Sequence, residues 1–408
     1  RYVGDVSVAD TIKFLTEAST VATNLVLVNS AASNALEIAN LETRNFVNYS
    51  NVANQGNYLI ISNPLIYGTG NENYVEQYKQ YRSSVVGGSY QAIIADINEL
   101  TDQFAYGINK HPLSIRNFLS FARTNFTNSP KFVFLIGKGL NYIEFRNNED
   151  EPDIEYQNLV PTWGHPASDN LLSAASNNNA TPQIPIGRLS AVSANEVGIY
   201  LAKVKQYDSV QNNTNYTVAN KAWMKNVLQV AGANDYNINA ELDEYLTKYK
   251  ALIQDTLFGA KATNFDKLAD PSAYTQSLRN FKNIFEKGAS IITYFGHSSA
   301  TNLDFNLDNP SAYNNQYRYP IFMVNGCDAG NLFMYESQRL NLKTTLSEKF
   351  ILEPQKGAIG YLATTNYGVV NYLDSFTTKF YRSISTSEYN KSFGEVIKSG
   401  ITKVLNDA

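Results

Sequence analysis

The sequence predicts an α/β protein made of two consecutive units, each with a parallel sheet flanked by helices. Three observations predict it. Short apolar runs such as Tyr58–Ser62 (YLIIS) and residues 131–137 (KFVFLIG) are bounded by turn residues, the pattern of strands buried on both faces. Amphipathic helical stretches alternate with these runs, as in a doubly wound sheet. After a polar stretch at 211–220 (QNNTNYTVAN) the same plan starts again.

The elements follow in order. Residues 1–52 read as the remnant of an upstream region or linker, with one candidate strand at 21–29, a short helix at 35–44 and a loop over 45–57. The first unit spans 53–215. YLIIS is its first strand, closed by Asn63-Pro64. A helix is predicted at 73–86, and a strand at 89–97 (SYQAIIADI). The stretch 112–125 places Leu113, Ile115, Phe118, Leu119 and Phe121 on one helical face. KFVFLIG is the next strand, and 141–179 reads as a long acidic, aromatic loop. A short strand at 183–188 (QIPIGR) and a helix at 194–208 end the unit.

The second unit spans 216–408. Its strands are 225–231 (KNVLQVA), 289–295 (ASIITYF), 320–325 (PIFMVN) and 357–364 (GAIGYLAT). Helices are predicted at 240–255, 271–286, 342–352, 371–385 and 393–405.

Composition limits the function. Among 408 residues there is one cysteine, so no intrachain disulfide, multi-cysteine zinc site or iron–sulfur cluster forms. Three histidines leave little room for a histidine-rich metal centre. A net charge of −4 argues against nucleic acid as a partner. No apolar run of ~18 residues suggests a membrane-spanning helix. The 28 tyrosines, the many asparagines and only 17% charged residues suit an exported bacterial protein, secreted or held at the cell surface. The chain starts at Arg1 and reads as an excised piece of a longer precursor.

In open parallel sheets, chemistry lies beyond the carboxyl ends of the strands. Of the segments found there, two stand out. Gly296-His297-Ser298-Ser299 follows ASIITYF, and Gly326-Cys327-Asp328-Ala329-Gly330 follows PIFMVN. The sole cysteine and one of three histidines thus end consecutive strands, which tend to be neighbours. A thiolate with a nearby imidazole is the pairing that nucleophilic acyl transfer needs. Gly296 and Gly326 let the backbone turn, and the N–H groups of Ser298 and Cys327 are placed to face an oxyanion. Against this stands the plainer role of a lone cysteine as a small buried hydrophobe.

Other motifs are weaker. His111-Pro112 and His165-Pro166 read as surface loops. Gly137-Lys138-Gly139 is not a phosphate loop, and no G-x-S-x-G elbow occurs. The acids Glu149, Asp150, Glu151, Asp153 and Glu155 supply oxygens of the type that binds structural calcium, but in no ligand spacing, so a solvated loop is favoured. No cofactor is required by any motif.

The wording ASIITYFGHSS followed by PIFMVNGCDAGNLF resembles the gingipain-type cysteine peptidases, which have a caspase-like fold. So do YLIISNP, PKFVFLIGKG, PQIPIGRLSAVSANEVGIYLAKVKQYD and LSEKFILEPQKGAIGYLATTNYGVVN, in the family's order over roughly 55–385. The GHSSATNLDF and NGCDAGN wording is most similar to the sortase-like, PorU-type members of the type IX secretion system of Bacteroidota. The resemblance implies Cys327 as nucleophile and His297 as its base or ion-pair partner. An orienting acid in some relatives matches Asn234, with Asp235 beside it. Two departures are visible: Ser298 stands where the family has glycine, and no acid clearly takes the place of the arginine-binding residue, leaving only Asp235 and Glu241. Arginine specificity is therefore not carried over. The implied partners are polypeptide substrates, among them the C-terminal sorting domains of secreted proteins, and subunits of the secretion machinery. Two readings remain open: an acyl-enzyme peptidase or transpeptidase, and a catalytically silent binding or assembly module.

Overall fold

The computed structural model describes residues 5–8, 11–13, 18, 20–22, 43–176, 179–213, 217–267 and 270–407. Most of the strand predicted at 21–29 and of the helix predicted at 35–44 lie outside them. Residues 1–45 form a unit of their own, in which β1 (Asp5–Val8) and β2 (Thr11–Lys13) make an antiparallel hairpin. Residues 46–408 form the other unit, which holds both parallel sheets.

The first sheet has the order β4-β3-β5-β8, all parallel: β3 (Tyr58–Ser62), β4 (Ala92–Asp96), β5 (Phe132–Ile136) and β8 (Ile186–Leu189). Leu59, Ile60, Ile61, Leu135 and Ile136 have no exposed surface, which is why these runs are apolar without alternation. Helices α1 (Tyr74–Ser83), α2 (Ile97–Phe104) and α3 (Leu113–Asn125) follow. Asn73 and Asp96 begin the first two by accepting backbone N–H bonds from Glu76 and Asn98. The long loop predicted at 141–179 is partly ordered. It contains α4 (Tyr142–Asn147), α5 (Ile154–Gln157) and a small hairpin, β6 (Ala174–Ser176) with β7 (Asn179–Pro182). Helix α6 (Ala194–Gln211) ends this half.

Short α7 (Val218–Lys221) leads into the second sheet, of order β10-β9-β11-β12-β13. Its strands are β9 (Asn226–Gly232), β10 (Lys261–Asp266), β11 (Ile291–Gly296), β12 (Ile321–Asn325) and β13 (Gly360–Ala363), again all parallel. The two strands expected to be neighbours, β11 and β12, are paired, with Phe295 opposite Asn325. Edge strand β10 escaped the sequence reading because KATNFD has no continuous apolar run. Its helices are α8 (Tyr236–Gln254), α9 (Pro271–Lys287), α10 (Leu346–Leu352), α11 (Val370–Ser385) and α12 (Phe393–Asp407). Apolar clusters cover both faces: Phe281, Phe285, Phe322 and Phe350 on one, Leu246, Tyr249, Phe380 and Tyr381 on the other.

The halves meet through buried charge. Arg339 is 1% exposed and makes a two-pronged bond to Glu196 of α6 (2.9 and 3.0 Å) and a third to Glu348 of α10 (2.9 Å). Glu348 also accepts from Ser190 and Thr345, and lies 3.7 Å from Lys138, the residue after Gly137 at the end of β5. Burial alone would raise the Glu348 carboxyl, but Lys138 and Arg339 outweigh it and hold it below the ordinary range. Nearby, Lys203 of α6 donates to the carbonyls of Phe350 (3.0 Å) and Ile351 (2.9 Å) at the end of α10. Burial pulls its amine down to about 7 against the opposing charge of Glu353. A neutral amine has two N–H groups, enough for both carbonyls.

Candidate active site

In this strand order the sheet reverses direction of growth between β9 and β11, and the crevice beyond their carboxyl ends is where ligands bind. The β11–β12 ladder ends with Phe295 opposite Asn325, and the backbone runs on two residues from each to reach His297 and Cys327. Adjacent strands lie about 4.8 Å apart. His297 is exposed and Cys327 half-buried, so both face reachable space.

The backbone of His297 is held at both ends. Its N–H donates to Gly232 O (2.9 Å), and its carbonyl accepts from the buried Tyr294 hydroxyl (2.5 Å) and from Asp304 N–H (3.2 Å). Tyr294 also receives the Asp304 N–H at 3.0 Å, and burial drives its hydroxyl far above the ordinary tyrosine range. Glycine is required where the strands converge: a Cβ on Gly296 would stand 2.1 Å from Gly232 O. Among the described residues no hydrogen bond fixes the imidazole, and none joins it to the Cys327 sulfur.

Ser298, the departure from the family pattern, has a visible role. Its hydroxyl donates to the Cys327 carbonyl at 2.8 Å and packs on Gly326, where a Cβ would come 2.1 Å from it. It ties the histidine loop to the cysteine turn. Ser298 also opposes Leu303 in an isolated antiparallel bridge. The bridge bonds run from Ser299 N–H to Asn302 O and from Asp304 N–H to His297 O. That makes Ser298 the non-hydrogen-bonded member, with its N–H directed away from the partner strand. Among the described residues, neither the Ser298 N–H nor the Cys327 N–H has a partner.

The cysteine turn is shaped by its neighbours. Asp328 is left-handed (φ 55°), and its N–H donates to Asn366 O (2.9 Å). Gly330 N–H donates to Thr364 O (2.7 Å), and the Thr364 hydroxyl donates to Gly326 O. Gly368 N–H reaches the Cys327 sulfur at 3.4 Å, the geometry of a donor to a thiolate. The loop 364–368 after β13 thus clamps the turn.

The other predicted residues fall outside this core. Asp235 caps α8, accepting from the N–H groups of Asn237 and Ile238. Glu241, exposed on α8, accepts from the Tyr245 hydroxyl at 3.2 Å. Asn234 is exposed and donates to Asp304 at 2.8 Å. Asp304 was not singled out from the sequence, although GHSSATNLDF contains it. It brings a carboxylate against Asn234, beside which only Asp235 was considered. Of the acids weighed for calcium, Glu149 pairs with Arg146, Glu155 with Lys110, and Asp153 accepts from Tyr335 and Gln157. Among the described residues no group of three or more histidine, cysteine or acidic side chains converges on a metal position. His111 accepts from Leu113 N–H, a local turn role.

Comparison with known proteins bears on the fold and the family. No curated protein matches. Among solved structures, the arginine-specific cysteine proteinase gingipain R is 14% identical, with a TM-score of 0.60 over 87% of this chain and 73% of that one. A complex of the pro- and mature domains of RgpB from Porphyromonas gingivalis is 15% identical, with a TM-score of 0.60 over 86% and 74%. A structure described only as a protease is 16% identical, with a TM-score of 0.61 over 86% and 73%. At such identities the likeness shows the fold, which is gingipain-like. The profile of Peptidase family C25 matches residues 51–408, and the chain therefore belongs to that family.

Proposed function

We propose that the chain is a cysteine peptidase of the bacterial envelope, of the sortase-like, PorU type, that acts on exported polypeptides through Cys327 and His297. The observation that carries this reading is the pair of unpartnered N–H groups at Ser298 and Cys327, beside a reachable thiol and a reachable imidazole. The Cys327 thiolate attacks the scissile carbonyl, and the two amides receive the negative charge of the tetrahedral oxygen. His297 protonates the leaving amine, and the C–N bond breaks to leave a thioester on Cys327. Water or an amine acceptor then attacks that thioester. Acceptance of an amine makes the reaction a transpeptidation and attaches the exported protein to its acceptor. Asp304 with Asn234 supplies negative charge behind the histidine loop. Among the described residues no helix is long and apolar enough to cross a membrane.

The test is incubation with exported proteins that carry a C-terminal sorting domain, comparing wild type with Cys327→Ala by mass spectrometry. The expected result is a cut at the domain boundary, with or without an attached amine, that is absent from the variant. Identical product patterns would sink the reading in favour of a silent binding module.

A further inference from the structure

The segment 327–333 is held on one side by the 364–368 loop. On its other side it is held by the first sheet. Lys138, fully buried after β5, donates from Nζ to Leu332 O at 2.5 Å. Asn141 N–H donates to Phe333 O at 3.0 Å, and the Arg188 guanidinium lies 5.6 Å from the Phe333 ring centre. The plain role for Lys138 is to neutralise Glu348. Glu348, however, already receives Arg339, Ser190 and Thr345 at 2.6–2.9 Å, while Lys138 is 3.7 Å away. The shorter contact of Lys138 is to the nucleophile segment. A buried lysine costs stability wherever it is placed, and burial lowers this one below the ordinary lysine range. Its placement is explained by what it holds.

We propose that Lys138 is a positioning residue: from a sheet that carries no reacting group, it fixes the carbonyl of Leu332 and thereby the turn that presents Cys327. This rests on the reading of Cys327 as the nucleophile. Displacement of a reacting group by about 1 Å costs on the order of a hundredfold in rate. Loss of one of three anchors is expected to cost less.

The experiment compares Lys138→Met, Lys138→Arg and wild type in the full chain. A mixture of fluorogenic peptides gives kcat and KM, and iodoacetamide labelling gives the alkylation rate of the single cysteine. Thermal unfolding is measured alongside. Lys138→Met is expected to lower kcat about thirtyfold, with KM within about threefold and alkylation several-fold slower. Lys138→Arg, which can donate to the same carbonyl, is expected to recover most of both. Wild-type kcat and alkylation in Lys138→Met, or an equal defect in Lys138→Arg, would overturn the proposal. If Lys138→Met does not fold, Lys138→Gln, which stays polar but lacks the charge and the reach to Leu332 O, takes its place. It is expected to move both rates in the same direction, and unchanged rates would overturn the proposal equally. A wild type that cleaves no peptide would defeat the peptidase reading. The alkylation rates would still decide the role of Lys138.

Discussion

At the carboxyl edge of the first sheet, Ser62 donates to Ile136 O (2.8 Å), Asn63 donates to Leu159 O (3.2 Å), and both side chains are buried. At the same edge of the second sheet, Asn234 and His297 are exposed, and the Cys327 thiol is half-buried with a single amide against it. The two edges have related strand orders and opposite uses. One turns its strand-end polar groups inward to close the sheet, and the other leaves them reachable and short of partners. A parallel sheet offers the same crevice at every such edge, so the side chains, not the topology, decide which edge is reactive.

This contrast can be broken or sharpened by substitution. The largest effect is expected for His297→Ala, which should lower kcat/KM about a thousandfold on a cleaved peptide while leaving the unfolding temperature unchanged, because the side chain is exposed. A thousandfold loss that follows a drop in stability would instead place His297 with the structural groups.

The next effect lies where the halves meet. The Lys203 amine is held near 7 in the folded chain against an ordinary value of 10.5. Between those values the unfolded chain holds a proton that the folded one lacks, so stability rises with pH over that window. The cost of charging Lys203 is fully present below about pH 7. Urea titrations at pH 7 and 9.5 should differ by a few kcal/mol, and Lys203→Met should shrink that difference, leaving the share of the other lowered lysines, Lys138 and Lys398.

Asp304→Asn is expected to lower kcat about tenfold with little change in stability, since an amide oxygen still accepts the Asn234 bond while the charge is lost. A wild-type kcat would show that Asp304 only shapes the loop. The smallest effect belongs to the closed edge. Ser62→Ala should cost about 1 kcal/mol in urea-induced unfolding and leave kcat untouched. A loss of kcat there would blur the contrast between the sheets.

Much of this was legible in the sequence because central parallel strands must be apolar on both faces. Tyr58–Ser62 is read with its true bounds, and the strands before His297 and Cys327 within two residues at either end. Edge strand β10 and helix α2 were not, since an edge carries mixed residues and α2 follows β4 with no intervening loop. At the site, the cysteine and histidine announced themselves by rarity and position. Asp304, Gly368 and Lys138 did not, because each acts through a contact 41 to 194 residues away along the chain. Asp235 read as a candidate orienting or pocket acid because carboxylates at helix starts and at active sites look alike in sequence. Its oxygen is taken up by two backbone N–H groups of α8.

The buried charge between the halves also bears on how the chain is made. Synthesis runs from the amino end, so Lys138 leaves the ribosome 210 residues before Glu348, and Glu196 143 residues before Arg339. Until then the first sheet carries an amine and a carboxylate whose partners do not yet exist, and sealing that face would strand them in an apolar medium. The nascent first half must therefore keep this face wet. The cysteine turn, whose Leu332 carbonyl accepts from that same lysine, is completed only when the last third of the polypeptide has been delivered.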